Sequence, residues 1–212
     1  MRLKSILIAL FFMLSIVHSS LKAERPQIEI VTSLGSITVE LAPYRAPATV
    51  DNFLKYVKRK YYDQTVIHRV EQDFVIQGGG FDTKYNLKET NRGIRNESNN
   101  GLNNIRGSIA MARTDDLHSA NSQFYINVSD NKSLDARYGR LAYTVFGKVL
   151  SGMDVVDTIS RVKVGSISHV GDTVPVNQIV IKSIRLIEIK AEIKAEQKTE
   201  PKPKEKKKEV KS

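Results

Sequence analysis

VIHRVEQDFVIQGGGF, from Val66 to Phe81, is the stretch on which the reading of this chain turns. Its first half is an apolar run interrupted by one arginine, Arg69. Phe74 and Gln77 follow, and then Gly78, Gly79 and Gly80. Glycine tolerates backbone conformations closed to other residues, so the three together read as a turn that ends a strand. The pattern places one fixed positive donor beside an apolar pocket. A strand arginine taken alone reads as an ion-pair partner, so the case for chemistry at Arg69 depends on what surrounds it.

Outward from that stretch, strand patterns dominate. Ile28 to Leu41 alternates on both sides of Ser33-Leu34-Gly35-Ser36, a hairpin signal. Ala46 to Arg59 changes to helical spacing, with Val50, Phe53, Leu54 and Val57 on one side and Pro47 suited to the first turn. Lys84 to Asn104 is polar and Asn-rich and reads as a long surface excursion. Arg106 to Ala112, Gln123 to Val128, Leu141 to Val149 and Gln178 to Ile189 read as strands, and Ser151 to Ile159 as a second helix. Many strands with two short helices predict a mainly β fold: a closed antiparallel barrel, which leaves no exposed strand edge, with the helices capping its ends.

The two ends differ from this middle. Residues 1–23 read as a secretory signal: Arg2 and Lys4, an apolar run from Ile6 to Val17, then Ser19, Ser20 and Ala23 as small residues near a cleavage point. Export to the periplasm is expected, with full secretion or a retained signal anchor as alternatives. Residues 24–190 form the domain. Residues 191–212 are a charged, Lys-rich tail whose composition gives it nothing to bury, although Lys206-Lys207-Lys208 could touch an anionic surface.

At 41% apolar and 26% charged residues the chain has globular composition. Of the formal net charge of +10, three positive charges are Arg2, Lys4 and Lys22, and four are the surplus of the segment from Lys198, which leaves +3 on residues 23–197. That is too little for a dedicated nucleic-acid-binding face. There is no cysteine, so no disulfide or thiolate metal site exists, and His18, His68, His118 and His169 lack metal-ligand spacing. The three glycines have no GxGxxG or P-loop spacing, and no GxSxG elbow supports a serine nucleophile. No metal or other cofactor is expected.

Four ordered blocks resemble the cyclophilin family of peptidyl-prolyl isomerases: APATVDNFLKYVKRKYYDQTVIHRV (46–70), HRVEQDFVIQGGGF (68–81), GSIAMARTDDLHSANSQFYINVSDN (107–131) and LAYTVFGKVLSGMDVVDTI (141–159). The resemblance runs from about Ile28 to Ile187 and is strongest to bacterial periplasmic cyclophilins. It implies an eight-stranded antiparallel barrel with two capping helices, isomerase activity on X-Pro bonds, proline-containing polypeptides as partners, and a monomer. It puts Arg69 in the place of the catalytic arginine, with Phe74 and Gln77. Substrate-binding places fall to Val75, Met111, Ala112, Arg113, Gln123, Tyr125, Leu134 and Tyr143. Val75 stands for the usual Met, Arg113 for an Asn, and Tyr125 for a Phe, which would add a hydroxyl at the pocket rim. Ser133 replaces an aromatic residue, so cyclosporin binding is expected to be weak.

The implied reaction breaks no bond. Its barrier, roughly 20 kcal/mol, is the amide resonance lost at the twisted geometry, where the proline nitrogen regains its lone pair. An always-charged guanidinium can donate to that nitrogen, and an apolar floor can grip the ring. A second class of function fits some of the same features: a module that holds proline segments without turning them over, suggested by Arg113 and the basic tail.

Overall fold

A computed structural model of the chain describes residues 25–187; the expected signal and tail lie outside the described residues. Ten strands and two α-helices follow in order: β1 (Gln27–Thr32), β2 (Gly35–Leu41), α1 (Pro47–Lys58), β3 (Thr65–Glu71), β4 (Val75–Asp82), β5 (Ser108–Met111), β6 (Phe124–Asn127), β7 (Val145–Ser151), α2 (Met153–Ser160), β8 (Val164–Ile167), β9 (Gly171–Pro175) and β10 (Ile179–Ile187). Eight strands close into an antiparallel barrel in the order β1-β10-β3-β4-β6-β5-β7-β2, and β8 pairs with β9 as a separate hairpin. The mainly β barrel with two helices is the architecture expected.

The interior is filled by one face of each strand. Val70, Ile76, Ile126 and Ile109 oppose one another across β3, β4, β6 and β5, forming an inward row. Phe53 of α1 is fully buried. Its ring lies 5.1 Å from Tyr62, 5.7 Å from Phe124 and 5.1 Å from Phe146. Val156 and Ile159 of α2 join the same core. Aromatic contacts of this kind add to the gain from burial alone.

Pro47 sits in the first turn of α1, and the residue before the helix, Ala46, supplies no side-chain cap. The cap comes from the polar excursion instead. Glu97 accepts from the Ala48 and Thr49 amides at 3.1 and 2.9 Å and from the Thr49 hydroxyl at 2.8 Å. A carboxylate here satisfies orphan amides and complements the helix dipole. The excursion is irregular in backbone but does not lie wholly on the surface: Asn96, Ser98 and Asn104 are buried within it.

Two expectations need correction, and one hairpin was not anticipated. Gly78–Gly80 are not a turn; they lie inside β4, and the reversal falls earlier, between Glu71 and Val75. Each is a glycine because the barrel wall is crowded there. A Cβ on Gly78 would lie 2.8 Å from Ile67, one on Gly79 2.9 Å from Tyr62, and one on Gly80 2.7 Å from the Gln123 side chain. The strand expected over Leu141–Val149 starts only at Val145. The Ala142 carbonyl is taken by the Asn96 amide and the Arg113 guanidinium rather than by a neighbouring strand. The β8–β9 hairpin is short, with no buried residue in β8 and burial in β9 confined to the adjacent Val174 and Pro175, so it offers little period-two signature to read.

Gly79 gives a stability test. Its φ of +85° disfavours any side chain, and Tyr62 and Phe124, which a Cβ would strike, are buried and cannot yield. Gly79→Ala should cost about 2–3 kcal/mol, seen as a lower urea midpoint at unchanged slope.

Candidate active site

The site lies on the outer face of the barrel, where one row of side chains crosses five strands. Arg69 on β3 opposes Gln77 on β4, Gln77 opposes Tyr125 on β6, Tyr125 opposes Ala110 on β5, and Ala110 opposes Val145 on β7. This row is offset by one residue from the inward row, as strand alternation requires. Between Ile67 and Arg69 the register slips: Ile67 pairs with Gly78 but Arg69 with Gln77, leaving His68 without a partner on β4. The bulge breaks alternation, so that Ile67 faces the core while Arg69 faces out.

A cavity of about 300 Å³ opens over this row, lined by Arg69, Phe74, Val75, Gln77, Ala112, Arg113, Tyr125, Leu134 and Tyr143. Beneath it Val75, Ala110, Tyr125 and Val145 form an apolar cluster separate from the barrel core, with Phe74, Leu134 and Tyr143 packed against it. A neighbouring cavity of about 310 Å³ shares Gln77, Ala112 and Arg113 and adds Lys88, Thr114, Ser119, Asn121 and Gln123, among others. Gln123 therefore borders the second cavity rather than the first. Met111 borders neither. It has the parity of Ile109 on β5, so it faces inward and is 1% exposed within the barrel core.

Arg69 is held on three sides. Its Nη1 donates to Gln77 Oε1 at 3.1 Å and its Nη2 to Glu71 Oε1 at 2.6 Å, and its guanidinium carbon lies 5.7 Å from the Phe74 ring centre. Gln77 Nε2 in turn donates to Gln123 Oε1 at 2.9 Å. Gln77 thus accepts from Arg69 and donates to Gln123, which fixes its amide. Arg113 lies over the Tyr143 ring at 4.6 Å and donates to the Ala142 and Thr114 carbonyls, forming the partition between the two cavities. Tyr125 departs from expectation. Its hydroxyl does not stand at the pocket rim; it turns down and donates to Asn104 Oδ1 at 2.7 Å. Burial holds its pKa well above the ordinary tyrosine value. Glu71 and Asn104 were not anticipated as site residues. Both become visible only once the hairpin and the excursion are folded.

Comparison with known proteins agrees with this picture. The family model for cyclophilin type peptidyl-prolyl cis-trans isomerase/CLD matches residues 27–186. A peptidyl-prolyl cis-trans isomerase of Streptomyces antibioticus is 48% identical over 76% of this chain and 98% of its own length. One from Acinetobacter baylyi is 46% identical over 76% of this chain and 86% of its own. A solved cyclophilin type isomerase of Cryptosporidium parvum, in the presence of the dipeptide Ala-Pro, superposes with a TM-score of 0.64 at 25% identity, covering 76% of this chain and 99% of that one. The chain belongs to the cyclophilin-type peptidyl-prolyl cis-trans isomerase family, with bacterial isomerases among its relatives, and its activity is that of a peptidyl-prolyl cis-trans isomerase.

The bulged His68 gives a pH prediction. It is 5% exposed, packs on Phe81 at 4.7 Å, and its Nδ1 meets no hydrogen-bond partner among the described residues. Burial, chiefly, lowers its pKa from 6.5 to about 4. Between those values the unfolded chain takes up a proton that the native chain refuses. The stability is therefore complete above about pH 6.5 and falls as the pH drops toward 4. The slope from this one group should approach about 1.4 kcal/mol per pH unit. Denaturant titrations at stepped pH should show that slope in the native chain, and a smaller one in His68→Gln.

Proposed function

We propose that the cavity over Phe74, Val75, Tyr125 and Leu134 receives the proline ring and that Arg69 is the catalytic residue. The observation that carries this is the Arg69 guanidinium, locked between Glu71 and Gln77 at the edge of an apolar cavity of about 300 Å³. The X-Pro bond turns over in tens of seconds or longer unaided because the planar amide is resonance-stabilised. On twisting, the nitrogen becomes pyramidal and its lone pair localises. A guanidinium N–H directed at that lone pair gains strength as the twist proceeds, so it favours the transition state over the planar ground state.

Gln77 and Gln123 act through Arg69 by fixing its direction. Ala112 and Arg113, on the boundary between the two cavities, meet the backbone on one side of the proline. The step moves no proton to or from the enzyme, so it needs no acid or base. Ser133 is exposed beside Leu134 and gives a large cyclic ligand little apolar area, which supports weak cyclosporin binding. The basic, then apolar, then small-residue pattern of residues 1–23 supports a role in the folding of exported proteins, most simply in the periplasm.

A proline-peptide isomerisation assay tests the assignment. Arg69→Ala should lower kcat/KM by about 10²–10³-fold, as removal of a transition-state donor does. Gln77→Leu, which only frees the guanidinium to wander, should cost about tenfold. Undiminished activity in Arg69→Ala would remove Arg69 from the mechanism.

A further inference from the structure

Behind the pocket lies a polar cluster to which the reaction, as argued above, assigns nothing. Asn104, Asn127 and Asn131 are 1%, 0% and 7% exposed. They form a closed ring of bonds. Asn131 N donates to Asn104 O at 2.7 Å, Asn131 Nδ2 to Asn127 Oδ1 at 2.7 Å, and Asn127 Nδ2 to Asn104 Oδ1 at 3.3 Å. A buried asparagine ring is costly unless every member is satisfied, and a satisfied ring is rigid.

What the ring holds is the pocket wall. Asn104 Oδ1 accepts the Tyr125 hydroxyl at 2.7 Å, and Asn104 Nδ2 donates to the Leu134 carbonyl at 3.0 Å. Asn131 Nδ2 donates to the Phe74 carbonyl at 2.9 Å. Phe74, Tyr125 and Leu134 come from three separate segments of the chain, and each side chain lines the cavity. The ring reaches each through an atom directed away from the cavity: two backbone carbonyls and one hydroxyl. Asn104 is itself fixed, since its amide N–H and Nδ2 both donate to Asp135 Oδ1, at 2.7 and 3.1 Å.

We propose that Asn104 is a positioning residue for the isomerisation. Through Tyr125 and Leu134 directly, and Phe74 by way of Asn131, it holds the wall as one body and so sets the ring size that the cavity grips. The inference rests on the reading that this cavity receives the proline ring. A wall that yields would still bind the ring, but would let it shift against Arg69. The loss should then appear in kcat rather than in KM. A yielding wall should also discriminate less between the five-membered ring of proline and the six-membered ring of pipecolic acid.

Asn104→Ala tests this directly, since it removes the acceptor of the Tyr125 hydroxyl and the donor to the Leu134 carbonyl while leaving every side chain that lines the cavity in place. The full chain would be assayed by exchange NMR on two peptides that differ only in proline or pipecolic acid. The expected result is a fall in kcat of about tenfold with KM within about twofold. The preference for proline over the six-membered ring should fall by about threefold or more. Asn131→Ala, which frees the Phe74 carbonyl, should move both readouts in the same direction, and it decides if Asn104→Ala does not fold. Unchanged kcat and preference in the folded variant, or a rise in KM at constant kcat, would overturn the positioning role. Arg69→Ala serves as the control for the underlying reading. If it remains as active as the native chain, that reading fails and this one with it. If it is inactive while the asparagine variant is unchanged, only the role of Asn104 is lost.

Discussion

The bulge at His68 is the constraint on which the site depends. In a regular strand Ile67 and Arg69 would share a face, and with Ile67 in the core the guanidinium would be driven into the barrel interior. Slipping one residue lets Ile67 fill the core and turns Arg69 outward, opposite Gln77. The compensating slip is on β4, where Thr65 pairs with Asp82 while Ile67 pairs with Gly78. That leaves Gly79, with its positive φ, and Gly80 to take up the extra length against Tyr62, Phe124 and Gln123. The arginine, the histidine and the glycines are therefore one device. His68 bears the cost, as a buried imidazole with an unsatisfied nitrogen.

The rest of the site follows from strand parity. Once Arg69 and Gln77 face outward, the pairing of β4 with β6 and β6 with β5 obliges Tyr125 and Ala110 to face outward too, while Ile126 and Ile109 fill the barrel. An outer-face apolar cluster would ordinarily be open to water. Here the segment from Leu134 to Tyr143 folds over it, and the Tyr143 amide donates to the Leu134 carbonyl at 3.3 Å. The irregular segment before β5 closes it from behind with asparagine side chains, which can satisfy backbone groups where no strand neighbour is available. The same segment sends Glu97 to cap α1, so one excursion serves both the fold and the pocket.

Much of this was legible in the sequence because alternation and helical spacing are local. The Ile28–Leu41 hairpin, both helices and the barrel class follow from periodicity alone. Most of the residues brought together at the cavity were supplied by the resemblance of four continuous blocks to the family, and periodicity alone pointed only to Arg69, Phe74 and Gln77 beside an apolar pocket. The misreadings are places where a non-local contact overrides a local signal. A run of three glycines reads as a turn unless one knows that Tyr62, Phe124 and Gln123 press on it. Met111 neighbours Ala112 in sequence but has the parity of the core. A tyrosine hydroxyl reads as a rim group unless Asn104, twenty-one residues away, is known to lie beneath it. Asn-rich composition suggests solvent, yet Asn96, Ser98 and Asn104 serve as buried struts.

Arg69 shows how much of such a site is orientation rather than charge. Its ion pair with Glu71 is short, but both side chains are more than a third exposed, at 36% and 38%. A pair so open to solvent contributes little energy, about 0–1 kcal/mol. Its effect is to occupy one amino group. Gln77 occupies the other, and the Phe74 ring limits motion out of plane. A guanidinium has five N–H donors in a rigid plane, so these two bonds leave about three free while fixing their directions. A lysine could carry the same charge at this position, but as a flexible point charge it could not be steered by Glu71 and Gln77 together. What β3, β4 and Gln123 supply is therefore a direction in space for donors that are already charged, and that direction originates in the single extra residue at His68.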